Sequence, residues 1–247
     1  MYDKTNFDKT KDLEFSDIYN LTNDMKDLTK NDLNYDHYFI KGTLIEYAKL
    51  PPDFRIKALV EHGVQLSDFT WGGFQAHPYY PTIGMSELRK NVINNMEKNS
   101  GAYAVGPYIA YAKHNLSPDK IKSEKERLGR NLLVFPAHST FGVKQVFDME
   151  FFCENIKKIG EEYDSVRICL HWKDVLLKTG EFYKKHGFEV VTAGHYYDPM
   201  FLPRLKSMIE VSTMTMSNEV GTHVGYCIYM DKPHYVLDMD VTVRKIE

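Results

Sequence analysis

The chain has 247 residues, 43% of them hydrophobic and 13% aromatic, and a formal net charge of −3. That length carries one large or two small domains with a real core. The near-neutral charge balance argues against a general nucleic-acid binder, which needs a concentrated basic face. Cys153, Cys169 and Cys227 lie far apart in apolar runs, with neither metal-ligand spacing nor a disulfide framework, so a reducing cytoplasm is the expected compartment. The first fifteen residues are charged and lack the apolar centre of a signal peptide, and no stretch approaches the roughly eighteen apolar residues of a membrane span. Peripheral contact with the inner face of a membrane stays open.

Residues 1–36 are rich in Asp, Lys and Asn and are expected to form a polar extension with one or two surface helices. Residues 38–40 predict a short strand, and 44–49 a helix stopped by Pro51 and Pro52. Residues 55–60 read as a buried strand that ends at Glu61-His62-Gly63. Open α/β sheets keep their ligands at such carboxyl ends. Residues 67–82 make an aromatic loop with Gly and Pro, long for a connector and a candidate substrate-facing segment, in which Trp71, Tyr79 and Tyr80 are read as packing residues. A helix over 85–98 and a strand over 101–105 follow. Ser117 then caps a charged helix with Pro118 at its first position and Gly129 at its end. This polar segment marks the expected boundary between a first domain, 37–128, and a second, 129–247.

From Asn131 the pattern becomes regular. Apolar strands at 132–135, 166–170, 188–191 and 211–216 alternate with helices over 143–162, 173–186 and 198–209. The helix over 143–162 carries Val143, Phe147, Phe151, Phe152, Ile156 and Ile159 on one face. A last helix has the stripe Val220, Val224, Cys227, Ile228, and residues 234–237 form the closing strand. Strands alternating with helices mean βαβ units, so the second half is expected to be a Rossmann-like doubly wound parallel sheet.

The loops after successive strands carry Pro136-Ala137-His138-Ser139-Thr140, His171-Trp172, Gly194-His195, and Ser217-Asn218-Glu219-Val220-Gly221-Thr222-His223. All leave one edge of the sheet, so their polar groups are expected to converge. The last loop joins a strand to a helix N-terminus, where backbone N–H groups and the helix dipole favour an anion. No H-x-x-x-H or Cys/His pairing suggests a metal, no G-x-S-x-G surrounds Ser139, and no G-x-G-x-x-G marks a nicotinamide site. Binding of a nucleotide diphosphate, with no separate cofactor, is the remaining chemistry.

The run from Ser217 to Lys232-Pro233 resembles the donor-binding segment of GT-B glycosyltransferases, although Asp231 stands where that segment has a Gly. His171 after a strand looks like the phosphate-contacting His-Pro motif of bacterial capsule and teichoic-acid transferases, with Trp172 in place of the Pro. Glu61-His62-Gly63 is similar to the His-Gly of their N-terminal domain. The resemblance implies two Rossmann-like domains, the N-terminal one abbreviated. It implies that His62, aided by Glu61, is the base for an acceptor hydroxyl. His138, Ser139 and Thr140 would line the donor diphosphate, and His171 would help neutralise the leaving phosphate. Ser217, Asn218, Gly221 and Thr222 would cradle phosphate at the helix N-terminus, and His195 and His223 would belong to the same donor-binding set. Glu219 would take ribose or sugar hydroxyls, or simply complement the helix dipole. The implied activity is transfer of a sugar from a nucleotide-sugar donor to a glycan or lipid-linked acceptor in surface polysaccharide assembly, without a metal. A CDP-polyol phosphotransferase, a sugar-nucleotide epimerase and a non-catalytic nucleotide-sugar-binding subunit are the alternatives.

Overall fold

The computed structural model describes residues 15, 18, 19, 36–65, 68, 78–96, 99–140 and 142–245. Most of the expected extension 1–36 and, of the expected loop 67–82, residues 67 and 69–77 with Trp71 lie outside the described residues. A three-stranded sheet comes first, with strands β1 (Leu59–Val60), β2 (Thr82–Gly84) and β3 (Ala102–Ala104) in that order and all parallel. Three helices accompany this half: α1 (Ile40–Tyr47), α2 (Glu87–Asn94) and α3 (Pro118–Leu128). Ser117 caps α3 by accepting the Lys120 N–H at 3.3 Å, and Gly129 ends it at φ 61°, a conformation that suits glycine.

A larger sheet has β4 (Asn131–Phe135), β6 (Ser165–Cys169), β7 (Glu189–Val191), β8 (Met214–Ser217) and β9 (His234–Val236), all parallel, in the order β7-β6-β4-β8-β9. The chain winds outward from β4 to β6 and β7, then crosses back to β8 and β9 on the other side. The strand order therefore reverses between β4 and β8, the doubly wound arrangement expected for this half. β4 is buried along its whole length, as a parallel strand covered on both faces must be. Leu132 and Val134 join one core with Phe152, Cys153, Ile156 and Tyr183. Leu133 and Phe135 join the other with Leu205, Met208, Ile209, Tyr226 and Cys227. The second core also takes in Val60, Ile83 and Val105 at the three-stranded sheet, so apolar packing is continuous between the two sheets.

Several local expectations change in three dimensions. Residues 38–40 are no strand. The Asp36 carboxylate accepts the Lys41 and Gly42 N–H groups at 2.6 and 2.8 Å, which starts α1 there, and His37–Phe39 forms a 3-10 turn. Only Leu59–Val60 of the run 55–60 pairs with a neighbour. The helix over 143–162 divides: β5 (Val143–Val146) pairs antiparallel with β10 (Thr242–Lys245), and α4 (Met149–Gly160) starts at an Asp148 cap. Partnership with a strand a hundred residues away overrides the local helical period, and Phe151 turns outward while Phe152, Cys153 and Ile156 are buried. The helix over 173–186 also splits, into α5 (Trp172–Leu176) and α6 (Gly180–Lys185), with Lys178 at φ 58° between them.

Two further helices complete this half, α7 (Phe201–Val211) and α8 (Thr222–Tyr229). On α8 the buried positions are Tyr226 and Cys227, whereas Val220 and Ile228 of the expected stripe are exposed. Phe15, Ile18 and Tyr19 are helical and buried, Phe15 in one core and Tyr19 in the other, not on the surface as read from the polar sequence around them. Tyr79 and Tyr80 are exposed. Among the described residues no helix is long and apolar enough to cross a membrane. Because β4 is the centre of the larger sheet, Leu133→Ala is expected to lower unfolding free energy by about 2–5 kcal/mol, measured by urea denaturation, with the far-UV spectrum retained.

Candidate functional site

At the reversal between β4 and β8 the loops leaving the carboxyl ends of the strands come together, the place where open α/β sheets keep their ligands in a crevice. The β4 loop and the β8 loop are joined across it, since the Asn218 Oδ1 accepts the Ala137 N–H at 2.7 Å. His138 and His171 lie side by side, with ring centroids 4.5 Å apart. His223, in the first turn of α8, stacks on Phe135 at 5.0 Å and lies 5.6 Å from His234. From the other sheet, the segment after β1 reaches the same place: the Val64 N–H donates to Thr222 Oγ1 at 3.1 Å, and Gly63 at φ 91° turns beside that hydroxyl. His62 faces His37 with centroids 5.0 Å apart. Tyr38 fills the space between, its hydroxyl 3.0 Å from His171 Nε2.

Burial governs the electrostatics. It lowers the pKa of His62, opposed by the Glu61 carboxylate, and it lowers that of His138. It holds His171 well below the ordinary range, with His138 and His195 adding to the effect and the Ser139 backbone opposing it. Burial, then His234 and His138, takes His223 down to about 3, and His37 and His234 are lowered to about 4, mainly by burial. Burial raises Glu219, partly offset by the His138 backbone, and raises Asp174, partly offset by its bonds from Ser139. The crevice is thus lined at neutral pH by uncharged imidazoles, each able to donate or accept a hydrogen bond and each able to take a proton if an anion arrives.

The residues expected from the loops divide by what their side chains already hold. His138, His171, Glu219, Gly221, Thr222 and His223 gather around the crevice, and His62 faces it from the smaller sheet. Glu61 is buried in an ion pair with Arg89, at 2.7 Å from Nη2 to Oε1. Ser139 is buried, with its N–H and its hydroxyl directed at Asp174. Thr140 is exposed and bridges to Val143. Ser217 is buried between the Glu219 carbonyl at 2.8 Å and His234 Nε2 at 2.9 Å, and Asn218 is the clasp to Ala137. These groups shape the loops rather than face an empty volume. His195 is buried among the rings of Trp172, Tyr196 and Tyr197, with its Nδ1 accepting the Tyr197 N–H.

Sequence reasoning missed His37, Tyr38, Asp174, Arg89 and His234. Asp174 carried a signal, because it lies one helical turn after His171 on a segment starting at a strand end. His234 opens the closing strand beside β8, so strand pairing could have found it as the partner of Ser217 and Thr215. Nothing local announces Tyr38, which meets His171 across 133 positions of chain. Among the described residues no group of three His, Cys, Asp or Glu side chains is placed to hold a metal ion.

Comparison with protein-family models matches none of them, and comparison with curated proteins finds no match either. The site must therefore be read from its own chemistry. A histidine held below its ordinary value is uncharged in the fold but takes a proton in the unfolded chain below pH 6.5, so acidification favours unfolding. For His223 this loss grows from pH 6.5 down to its folded value of about 3. At pH 5 it amounts to roughly 2 kcal/mol for that one group. Urea midpoints should fall steeply between pH 7 and pH 5, and His223→Gln should flatten that slope; an unchanged slope in the variant would show that His223 is not uncharged in the fold.

Proposed function

We propose that the protein is a glycosyltransferase of the two-domain GT-B type, moving a sugar from a nucleotide-sugar donor to a glycan or lipid-linked acceptor in bacterial surface polysaccharide assembly. The observation that carries this reading is the convergence of His138, His171, His223 and the first turn of α8 at the strand-order reversal, opposite His62 on the second parallel sheet. A helix N-terminus next to uncharged imidazoles suits a diphosphate, because the dipole attracts the anion and the rings supply N–H donors.

In the reaction the acceptor hydroxyl attacks the anomeric carbon and its proton passes to the His62 imidazole. Burial keeps that ring uncharged and therefore able to accept. The bond from the anomeric carbon to the donor phosphate breaks, and the charge that develops on the leaving diphosphate is offset by the α8 N-terminus and by His171 and His138. Glu219, half-buried beside the His138 backbone, takes ribose or sugar hydroxyls as an acceptor. The transfer uses no bound metal in this scheme. The second reading, a non-catalytic nucleotide-sugar-binding subunit, is favoured by Glu61, whose pairing with Arg89 leaves it poorly available to support His62 as a base.

A thermal-shift screen with UDP-, CDP-, GDP- and CMP-linked sugars tests the binding half. One nucleotide class should raise the melting temperature, corresponding to about 2.7 kcal/mol when the ligand is present at about 100 times its Kd. With that donor, His62→Ala should lower kcat by about 10²–10⁴ while the donor-induced shift is retained. A screen in which no donor stabilises the protein sinks the assignment. Donor binding with no turnover by the wild type selects the binding subunit.

A further inference from the structure

Tyr38 belongs to none of the strand-end loops that carry the histidines, yet its hydroxyl engages a ring nitrogen of one of them. Its hydroxyl lies 3.0 Å from His171 Nε2. Its ring sits 4.7 Å from Phe201, 6.2 Å from His171 and 6.4 Å from His62, so it spans from the larger sheet's edge to the smaller one's. Its backbone N–H is tied to the Tyr196 carbonyl at 2.6 Å. Two residues earlier the Asp36 carboxylate accepts the Lys41 and Gly42 N–H groups in the first turn of α1. Between these anchors the chain passes through two consecutive non-glycine residues at positive φ, Tyr38 at 57° and Phe39 at 54°. L-residues visit that region rarely, and such conformations persist only where surrounding contacts enforce them.

The Tyr38 hydroxyl and His171 Nε2 share one hydrogen bond, and the ring tautomer sets its direction. Burial raises the Tyr38 phenol, so the hydroxyl keeps its proton. With the ring proton on Nδ1 the hydroxyl donates and Nε2 accepts. His171 Nδ1 is buried without a hydrogen-bond partner among the described residues, so Nε2 is the ring nitrogen that the Tyr38 hydroxyl engages. In this tautomer Nε2 presents a lone pair that repels a phosphate oxygen. An anion can use Nε2 only after the Tyr38 hydroxyl has left and the nitrogen has taken a proton from water. The product is an imidazolium with Nε2–H donating to the phosphate.

We propose that Tyr38 is a ligand-competing residue of this crevice: its hydroxyl masks His171 Nε2 in the ligand-free protein, and a phosphate or diphosphate group engages that nitrogen only by replacing it. The proposal rests on the reading of the crevice as a phosphate site. It adds a residue that sets how strongly, and in which conformation, the site takes its ligand.

Titration of the full chain, labelled with ¹⁵N-histidine, with inorganic pyrophosphate separates the two ideas. Tyr38→Phe keeps the ring but loses the competing hydrogen bond and should bind pyrophosphate about 3- to 10-fold more tightly than the wild type, the equivalent of one net hydrogen bond. Tyr38→Asn, whose side chain tolerates positive φ, should gain at least as much, and it serves as the test if the Phe variant fails to fold. In a His171→Gln background neither substitution should change affinity. In the wild type, saturation should move the His171 nitrogens from the one-proton pattern to the two-proton pattern. Equal or weaker binding by Tyr38→Phe, with His171→Gln still weakening the site, overturns the role of Tyr38 alone. Pyrophosphate binding by none of the variants overturns the phosphate reading, and the proposal with it.

Discussion

Pairing of β4 with β8 is the contact on which the rest of the molecule depends. It aligns Leu132 with Met214 and Phe135 with Ser217, and it is where the strand order reverses. Parallel pairing sends both chains out of the sheet on the same side, so two loops must part around the space between them. The Asn218–Ala137 bond closes the base of that space, and Ser217, held by His234 from the next strand, fixes the path of the β8 loop. The polar residues of the two loops are therefore divided between those that build the crevice and those that face it.

The crevice concentrates imidazoles in a place where burial opposes charge. Removing an ionised group from water costs far more than removing an uncharged one, so the cluster stays neutral without a carboxylate partner for each ring. Asp174 and Glu219, the carboxylates near the cluster, are themselves raised by burial. A site of this kind responds to the charge of its occupant, because an arriving anion restores the partner that burial removed and brings protons with it. Its chemistry is a property of the set of rings and not of any one of them.

The smaller sheet meets the larger one through a continuous apolar core. Val60, Ile83 and Val105 pack with residues of α7 and α8, and Tyr108, fully buried, donates its hydroxyl to the Glu61 carbonyl at 2.7 Å. The Glu61–Arg89 pair is held inside the same region. Breaking one side of a buried pair strands the other charge, which makes this pair a rigid support for His62. The segment at 36–40 adds a second tie, running from the first turn of α1 to His171.

The sequence by itself determined the alternation of strands and helices after Asn131, the Ser117 cap, the Gly129 stop and the loops on which His138, His171 and His223 stand. These features follow from local chemistry: apolar runs, cap residues and the rule that parallel strands release their loops on one edge. Only the tertiary structure decided that residues 143–146 are a strand, that 38–40 are a turn, and that Phe15, Ile18 and Tyr19 are buried. Each depends on a partner far along the chain, and local periodicity carries no information about such a partner. The same holds within the crevice: the spacing of His171 identifies it as a strand-end residue, but the hydroxyl that masks its Nε2 comes from Tyr38, 133 positions away. Solvent exclusion and distant contact, which a linear pattern does not encode, fix the protonation and the bonding of the site.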